Sequence, residues 1–240
     1  MRNPSGPPGA DIPDELDRGV LERAVNQARE ALSDEKKAGV IQRLVAYYAV
    51  GGNYAGASFA TLAPVEPMMI TATDLHATTL LSVDIGPGAT RRLLAPSPDR
   101  DRALEALRNV PDTDLAAADA ATLRLMEDVY RWVKETLSSP TAKDPNPWVT
   151  ASKLCARKRP RLFPVRDRNV CDYLGILSLN DFRKDWLVFR HLMRNPDLMQ
   201  VLNQLPGRVR AAAREREVVL DDSPLRLLDA ALWTCTVWPD

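Results

Sequence analysis

Residues 148–170 have the sequence Trp148-Val-Thr-Ala-Ser-Lys-Leu-Cys-Ala-Arg-Lys-Arg-Pro-Arg-Leu-Phe-Pro-Val-Arg-Asp-Arg-Asn-Val170. The first part, Val149 to Lys158, contains no helix breaker, and it has apolar side chains at helical spacing. Pro160 ends this helix, because the residue before a proline is pushed out of the helical region. Pro164 is well placed to open a second helix that runs to about Gly175. The stretch therefore predicts a helix, a short proline-bounded loop and a second helix.

Positive charge is concentrated at the joint between these two helices. The whole chain has 32 basic and 32 acidic residues, but residues 153–168 hold seven basic side chains and a single acid, Asp167. A local excess of this kind indicates an anionic partner. The seven candidate anion-binding residues are Lys153, Arg157, Lys158, Arg159, Arg161, Arg166 and Arg168.

The first hypothesis for the anion is a nucleic acid, whose backbone these side chains would follow as they displace counterions. Lys158 and Arg159, which we expect to be exposed at the joint, are the best candidates for phosphate contacts. An alternative is a set of bridges to acids of the N-terminal half, since the halves on either side of Pro140 carry −5 and +5. Two further function classes stay open: an interaction protein that binds an acidic partner, and an enzyme that acts on a small phosphorylated substrate.

Helical patterns extend over most of the remaining chain, and no run of alternating β-branched residues predicts a strand. About ten helices joined by short links indicate an all-α fold. Residues 1–12 are proline- and glycine-broken and are predicted to be a disordered tail. Residues 13–240 are predicted to form a single all-α domain.

Several classes of site are excluded by composition. The three cysteines are far apart and odd in number, which does not imply a disulfide framework. They cannot supply a four-thiolate iron–sulfur cluster, and neither histidine has a neighbour at ligand spacing. We therefore predict no metal and no cofactor. No apolar run reaches membrane-spanning length and no signal peptide is evident, so a cytoplasmic protein without membrane contact is expected.

Two further segments bear on a site. Three glycines between Gly51 and Gly56 fit neither phosphate-binding fingerprint, and an interhelical turn is predicted there. Near the C-terminus, Arg226 and Asp229 lie one turn apart in an apolar helix. We interpret them as a buried ion pair that orients this helix, because no second acid or base lies at a useful spacing.

Three islands together resemble one bacterial family, an uncharacterised domain of unknown function, over about residues 43–238. They are Tyr48-Ala-Val-Gly-Gly-Asn-Tyr-Ala-Gly-Ala-Ser-Phe59, Thr150-Ala-Ser-Lys-Leu-Cys-Ala-Arg-Lys-Arg-Pro-Arg-Leu-Phe-Pro-Val165 and Leu225-Arg-Leu-Leu-Asp-Ala-Ala-Leu-Trp233. The middle island is the most specific. This resemblance implies no activity.

A remoter similarity links the middle island to helix-hairpin-helix DNA glycosylases. Thr150-Ala151 is followed after sixteen residues by Asp167, which stands within Pro164-Val-Arg-Asp-Arg-Asn-Val170. The similarity implies a helix-hairpin-helix glycosylase-like fold and a monofunctional or degenerate glycosylase in which Asp167 is catalytic. Its carboxylate would stabilise an oxocarbenium-like sugar or activate water after a base is extruded.

The sequence also departs from the glycosylase pattern. Pro145 and Pro147 replace the hairpin glycines, Val149 stands at the lysine nucleophile position of bifunctional members, and Asn169 replaces a histidine. Proline has no N–H to offer a phosphate. The alternative for Asp167 is an acid in the first turn of a helix, paired with Arg166 or Arg168.

Overall fold

The computed structural model describes residues 16–35, 38–59, 61–138 and 146–238, and the predicted tail at residues 1–12 lies outside them. The described residues form twelve α-helices and two short 3₁₀ turns, and the only β pairing among them is an isolated bridge between Ala49 and Val218. The all-α prediction is confirmed. The helices are α1 Arg18–Ala31, α2 Val40–Tyr47, α3 Gly56–Phe59, α4 Ala72–Thr79, α5 Pro87–Leu94, α6 Pro98–Asn109, α7 Ala120–Leu137, α8 Trp148–Lys158, α9 Arg168–Tyr173, α10 Phe182–Arg194, α11 Pro196–Ala213 and α12 Pro224–Val237.

Helix α8, the first half of the basic stretch, lies in the interior and packs chiefly against α7 and α4. Small side chains at Ala151, Ser152 and Ala156 allow neighbouring helices to approach closely. Every residue of α8 except Val149 is buried. The predicted helix is confirmed, but it has no solvent-facing side for its cations. Counter-ions or hydrogen-bond acceptors within the protein must therefore compensate their charges.

The second helix of the stretch is shorter than predicted. It begins at Arg168 instead of Pro164, because Asp167 acts as its N-cap and its Oδ1 accepts a hydrogen bond of 3.0 Å from Asn169 N–H. The residues before it are fixed to α8 in irregular conformation. The Ser152 hydroxyl donates to the Pro164 carbonyl at 3.0 Å and accepts from Arg166 N–H at 2.8 Å.

Two further helices have ends or interruptions that the sequence does not mark clearly. α2 spans Val40–Tyr47, with Gly39 at its N-cap. α11 is one element that continues through Pro206. A proline removes one backbone donor, and the packing of the flanking turns outweighs that loss.

One contiguous hydrophobic core draws on nearly every helix. Its centre is an aromatic cluster in which the Trp186 ring packs 4.9 Å from Phe182 and 5.6 Å from both Tyr130 and Phe163. In the described part of the chain, no helix is both long and apolar enough to cross a membrane.

Candidate functional site

The seven predicted anion-binding residues divide into two groups. Five are buried, namely Lys153, Arg157, Lys158, Arg159 and Arg166, and two are exposed, namely Arg161 and Arg168. The predicted exposure of Lys158 and Arg159 is wrong, because the joint is covered by the segment around residues 59–68 and by α6.

Arg157 and Lys158 share one buried counter-ion, Asp74. Arg157 Nε lies 3.2 Å from Asp74 Oδ1, and Lys158 Nζ lies 2.6 Å from Oδ2. Arg157 also donates to the carbonyls of Phe59 and Leu62. Burial lowers the pKa of Lys158, and the adjoining carboxylate opposes that shift. Asp74 also forms a capping box with Thr71 at the start of α4, so a single carboxylate caps that helix and neutralises two cations of α8.

Arg159 is held by carbonyls. It donates to Pro67 O at 2.6 Å and to Leu107 O at 2.7 Å, and no carboxylate of the described residues lies within 4 Å of it. Its Nε is buried without a hydrogen-bond partner. Burial lowers the pKa of this guanidinium, which Asp112 partly offsets.

Arg166 is a core residue. Its Nε lies 2.8 Å from Asp185 Oδ2, its Nη1 donates to the Tyr130 hydroxyl at 3.0 Å, and its guanidinium stacks 5.0 Å from the Trp148 ring centre. Burial raises the pKa of Asp185, and the Arg166 charge opposes this. A guanidinium that is enclosed in this way serves to anchor α8, α7 and α10 to one another.

Asp167 pairs with neither Arg166 nor Arg168, the two partners predicted for it as an alternative to a catalytic role. Its Oδ2 lies 3.2 Å from Lys153 Nζ, and its side chain is 15% exposed. Lys153 also donates to the Leu81 carbonyl at 2.8 Å. The two remaining cations are at the surface, where Arg161 pairs with Asp114 at 2.9 Å and Arg168 is exposed.

Beside Lys153 lies a cavity of about 230 Å³, which we call the aromatic pocket. Its walls carry five rings, from Tyr47, Tyr48, Tyr54, Phe59 and Trp233, and four charged side chains, from Lys153, Asp221, Arg226 and Asp229. The Tyr47, Tyr54 and Trp233 rings lie 5.7 to 6.3 Å from one another. A concave site with apolar walls and a few polar groups is typical of small-molecule binding.

Arg226 and Asp229 form an ion pair at the wall of this pocket, as predicted. Asp229 Oδ2 also accepts from Val165 N–H at 3.0 Å, and Arg226 Nη2 donates to Phe163 O at 2.7 Å. Asp229 Oδ1 and the Nε and Nη1 atoms of Arg226 are buried and have no hydrogen-bond partners among the described residues. Burial raises the pKa of Asp229 to about 7, although Arg226 opposes the shift.

A second carboxyl, Asp221, lies in the same pocket. It accepts a 2.7 Å hydrogen bond from the Tyr48 hydroxyl, and burial raises its pKa. Burial beside Asp221 also raises the pKa of Tyr47 above its ordinary range. Titratable groups whose pKa values are shifted so that the neutral form is favoured are concentrated at functional sites.

The pocket was missed by sequence reasoning because its members come from distant segments. The three islands quoted above all contribute to it, through Tyr54, Lys153 and Arg226 among others. The glycine-rich segment does form a turn, as predicted, and it places Tyr54 against Tyr47 and Trp233. Gly56 is required there, since a Cβ at this position would overlap Tyr47. The concentration of tyrosines in and beside the first island, at positions 47, 48 and 54, is the sequence signal that would have indicated the pocket.

Residues 40–236 match the model of a family described as a family of unknown function, DUF6308. The chain belongs to this family. No curated protein and no solved structure matches it. Within the described residues of this family member, no three side chains of His, Cys, Asp or Glu are grouped so that they would hold a metal ion.

Proposed function

We propose that the protein binds a small, flat organic molecule in the aromatic pocket and exchanges a proton with it through Asp229. The observation that carries the proposal is the asymmetry of the Asp229 carboxyl. Asp229 lines the pocket; Arg226 and the Val165 N–H hold its Oδ2, whereas its buried Oδ1 has no hydrogen-bond partner among the described residues. A carboxyl that is fixed by one oxygen and free at the other is suited to general acid–base chemistry.

The environment of Asp229 supports this role. A pKa of about 7 means that protonated and ionised forms coexist near neutrality, which favours proton transfer in both directions. The ring walls provide apolar surface for a flat ligand. Leaving Oδ1 unsatisfied costs on the order of 1–3 kcal/mol, and a ligand donor would remove that cost.

Two aromatic probes of opposite charge test the proposal. Benzamidine is a cation and benzoate an anion at all pH values from about 6 to 8, so any change in binding over this range comes from the protein. As Asp229 ionises with rising pH, benzamidine should bind more tightly and benzoate more weakly. Affinities should be measured by isothermal titration calorimetry or protein-observed NMR.

Asp229→Asn, which keeps the size of the side chain, should reduce the pH dependence of both affinities, and Asp221 accounts for any dependence that remains. Tyr54→Leu, at a ring that is 37% exposed, should weaken both probes at every pH without loss of folding. Asp128→Asn is the matched control, because this acid also has a raised pKa but does not line the pocket. Absence of binding by both probes, or pH profiles that Asp229→Asn leaves unchanged, would refute the proposal.

Nucleic-acid binding and a glycosylase-like role of Asp167 stay predictions. Of the seven cations proposed for phosphate contacts, only Arg161 and Arg168 present exposed guanidiniums, and Arg161 already has a carboxylate partner. A duplex backbone is recognised by side chains that reach its phosphates from the protein surface. The interior positions of the other five cations give that hypothesis no support.

A further inference from the structure

A second cavity, of about 370 Å³, shares Arg226 with the aromatic pocket, and we call it the basic cavity. Arg226 and Phe59 contribute to the walls of both cavities. The basic cavity also contains the consecutive cations Arg157, Lys158 and Arg159, which end α8. Basic residues of the stretch therefore line a cavity that is large enough for a ligand.

Two of the guanidiniums in its walls have unused hydrogen-bond donors. In the part of the chain that the structure describes, Arg159 Nε has no hydrogen-bond partner, and neither do Nε and Nη1 of Arg226. Both residues are more than nine-tenths buried, with exposed fractions of 6% and 3%. Buried donors without acceptors are rare in native proteins, and a bound water molecule or anion is one explanation for them.

One of the charges at this cavity has no close counter-ion. The described part of its wall holds four cations and one acid, Asp112, which is exposed. Asp74 offsets Arg157 and Lys158. Asp229 pairs with Arg226, and the charge of Asp221 acts on Arg226 as well. The guanidinium of Arg159 is the one without a carboxylate within 4 Å among the described residues.

We propose that the basic cavity binds a phosphate-type oxyanion, either free or as part of a small molecule, between Arg159 and Arg226. Guanidinium donors match the oxygens of such an anion in number and geometry. The anion would supply the close counter-charge that Arg159 lacks among the described residues. A duplex phosphate would not reach a guanidinium that is 6% exposed, so the ligand is a small one. The proposal does not depend on the aromatic pocket, whose probes carry no phosphate.

The experiment is a titration of the full chain with inorganic phosphate and with pyrophosphate, at constant ionic strength set with sodium chloride. Calorimetry should show saturable binding, and the melting temperature should rise with phosphate but not with equivalent chloride. Arg159→Met should weaken binding at least tenfold. Arg161→Ala is its control, because this arginine lies in the same segment but does not line the cavity.

Arg159→Met removes donors to two buried carbonyls, so a second variant is needed that leaves the interior intact. Asp112→Asn removes, at an exposed position, the one acid that the described cavity wall contains, and it should tighten phosphate binding several-fold. Asp114→Asn, which removes the neighbouring exposed acid, should leave the affinity for phosphate unchanged. Phosphate binding no stronger than that of chloride, equal effects of the two Asn variants, or binding of a 20-base-pair DNA duplex without binding of phosphate would overturn the proposal.

Discussion

Lys158 Nζ lies 2.6 Å from Asp74 Oδ2, and the two side chains are 2% and 0% exposed. This ion pair joins the C-terminal end of α8 to the first turn of α4, and Arg157 contacts the same carboxylate. The density of basic residues predicts Lys158 at the surface, but in the fold this lysine is buried together with its counter-ion. The main consequence concerns stability, since a buried charge requires its partner.

Asp74→Ala should lower the free energy of unfolding by about 3–5 kcal/mol, because it leaves two buried cations without their carboxylate. Chemical denaturation followed by circular dichroism measures the change. Asp114→Ala, which breaks the exposed pair with Arg161, should cost less than about 1 kcal/mol. Equal losses in the two variants would contradict the interior role of Asp74.

Asp167→Ala should destabilise the protein by about 1–2 kcal/mol, since it removes the N-cap of α9 and the partner of Lys153. Asp167→Asn keeps a good N-cap residue and should lose less stability than Asp167→Ala. A base-release assay on duplexes that contain uracil, hypoxanthine, alkylated or oxidised purines tests the glycosylase hypothesis on the same proteins. Base release by the unmutated chain that disappears in Asp167→Asn would show a catalytic carboxylate.

The stability of the protein should depend on pH through Asp229. Its pKa rises from 3.8 to about 7 on folding, so between these values the folded state binds more protons than the unfolded state. This contribution to stability is therefore present below about pH 4 and is lost as pH rises through 7. From pH 5 to pH 8 the loss is on the order of 2–3 kcal/mol. Denaturation of Asp229→Asn at both pH values should show a correspondingly smaller decrease than the unmutated protein.

Cys155 and Cys171 should be unreactive in the folded protein. Burial raises the pKa of both thiols well above the usual range, so neither forms the thiolate that reacts. Alkylation with iodoacetamide at pH 8, followed by peptide mass spectrometry, should modify these cysteines only after denaturation. Rapid labelling of either one in native buffer would show that the core opens around it.

Much of the helical framework follows from local sequence. Pro160 ends α8, Thr71 caps α4 and Pro224 opens α12, because each acts through its own backbone geometry or through groups one turn away. The pairing of Arg226 with Asp229 is local as well, since residues three apart in a helix share a face. Boundaries were missed where a side chain that caps a helix, such as Asp167, overrides the proline signal before it.

Only the tertiary structure determines which cations of the basic stretch are buried and which acids neutralise them. The sequence determines that α8 carries consecutive cations at its end, but Asp74, which neutralises two of them, lies more than eighty residues earlier. The aromatic pocket likewise assembles Tyr54, Lys153 and Trp233 from three distant segments. Periodicity and capping act over a few residues, whereas burial and counter-ion pairing depend on which helices pack together. Only the packed structure could therefore show that the densest positive stretch of this chain belongs to its interior.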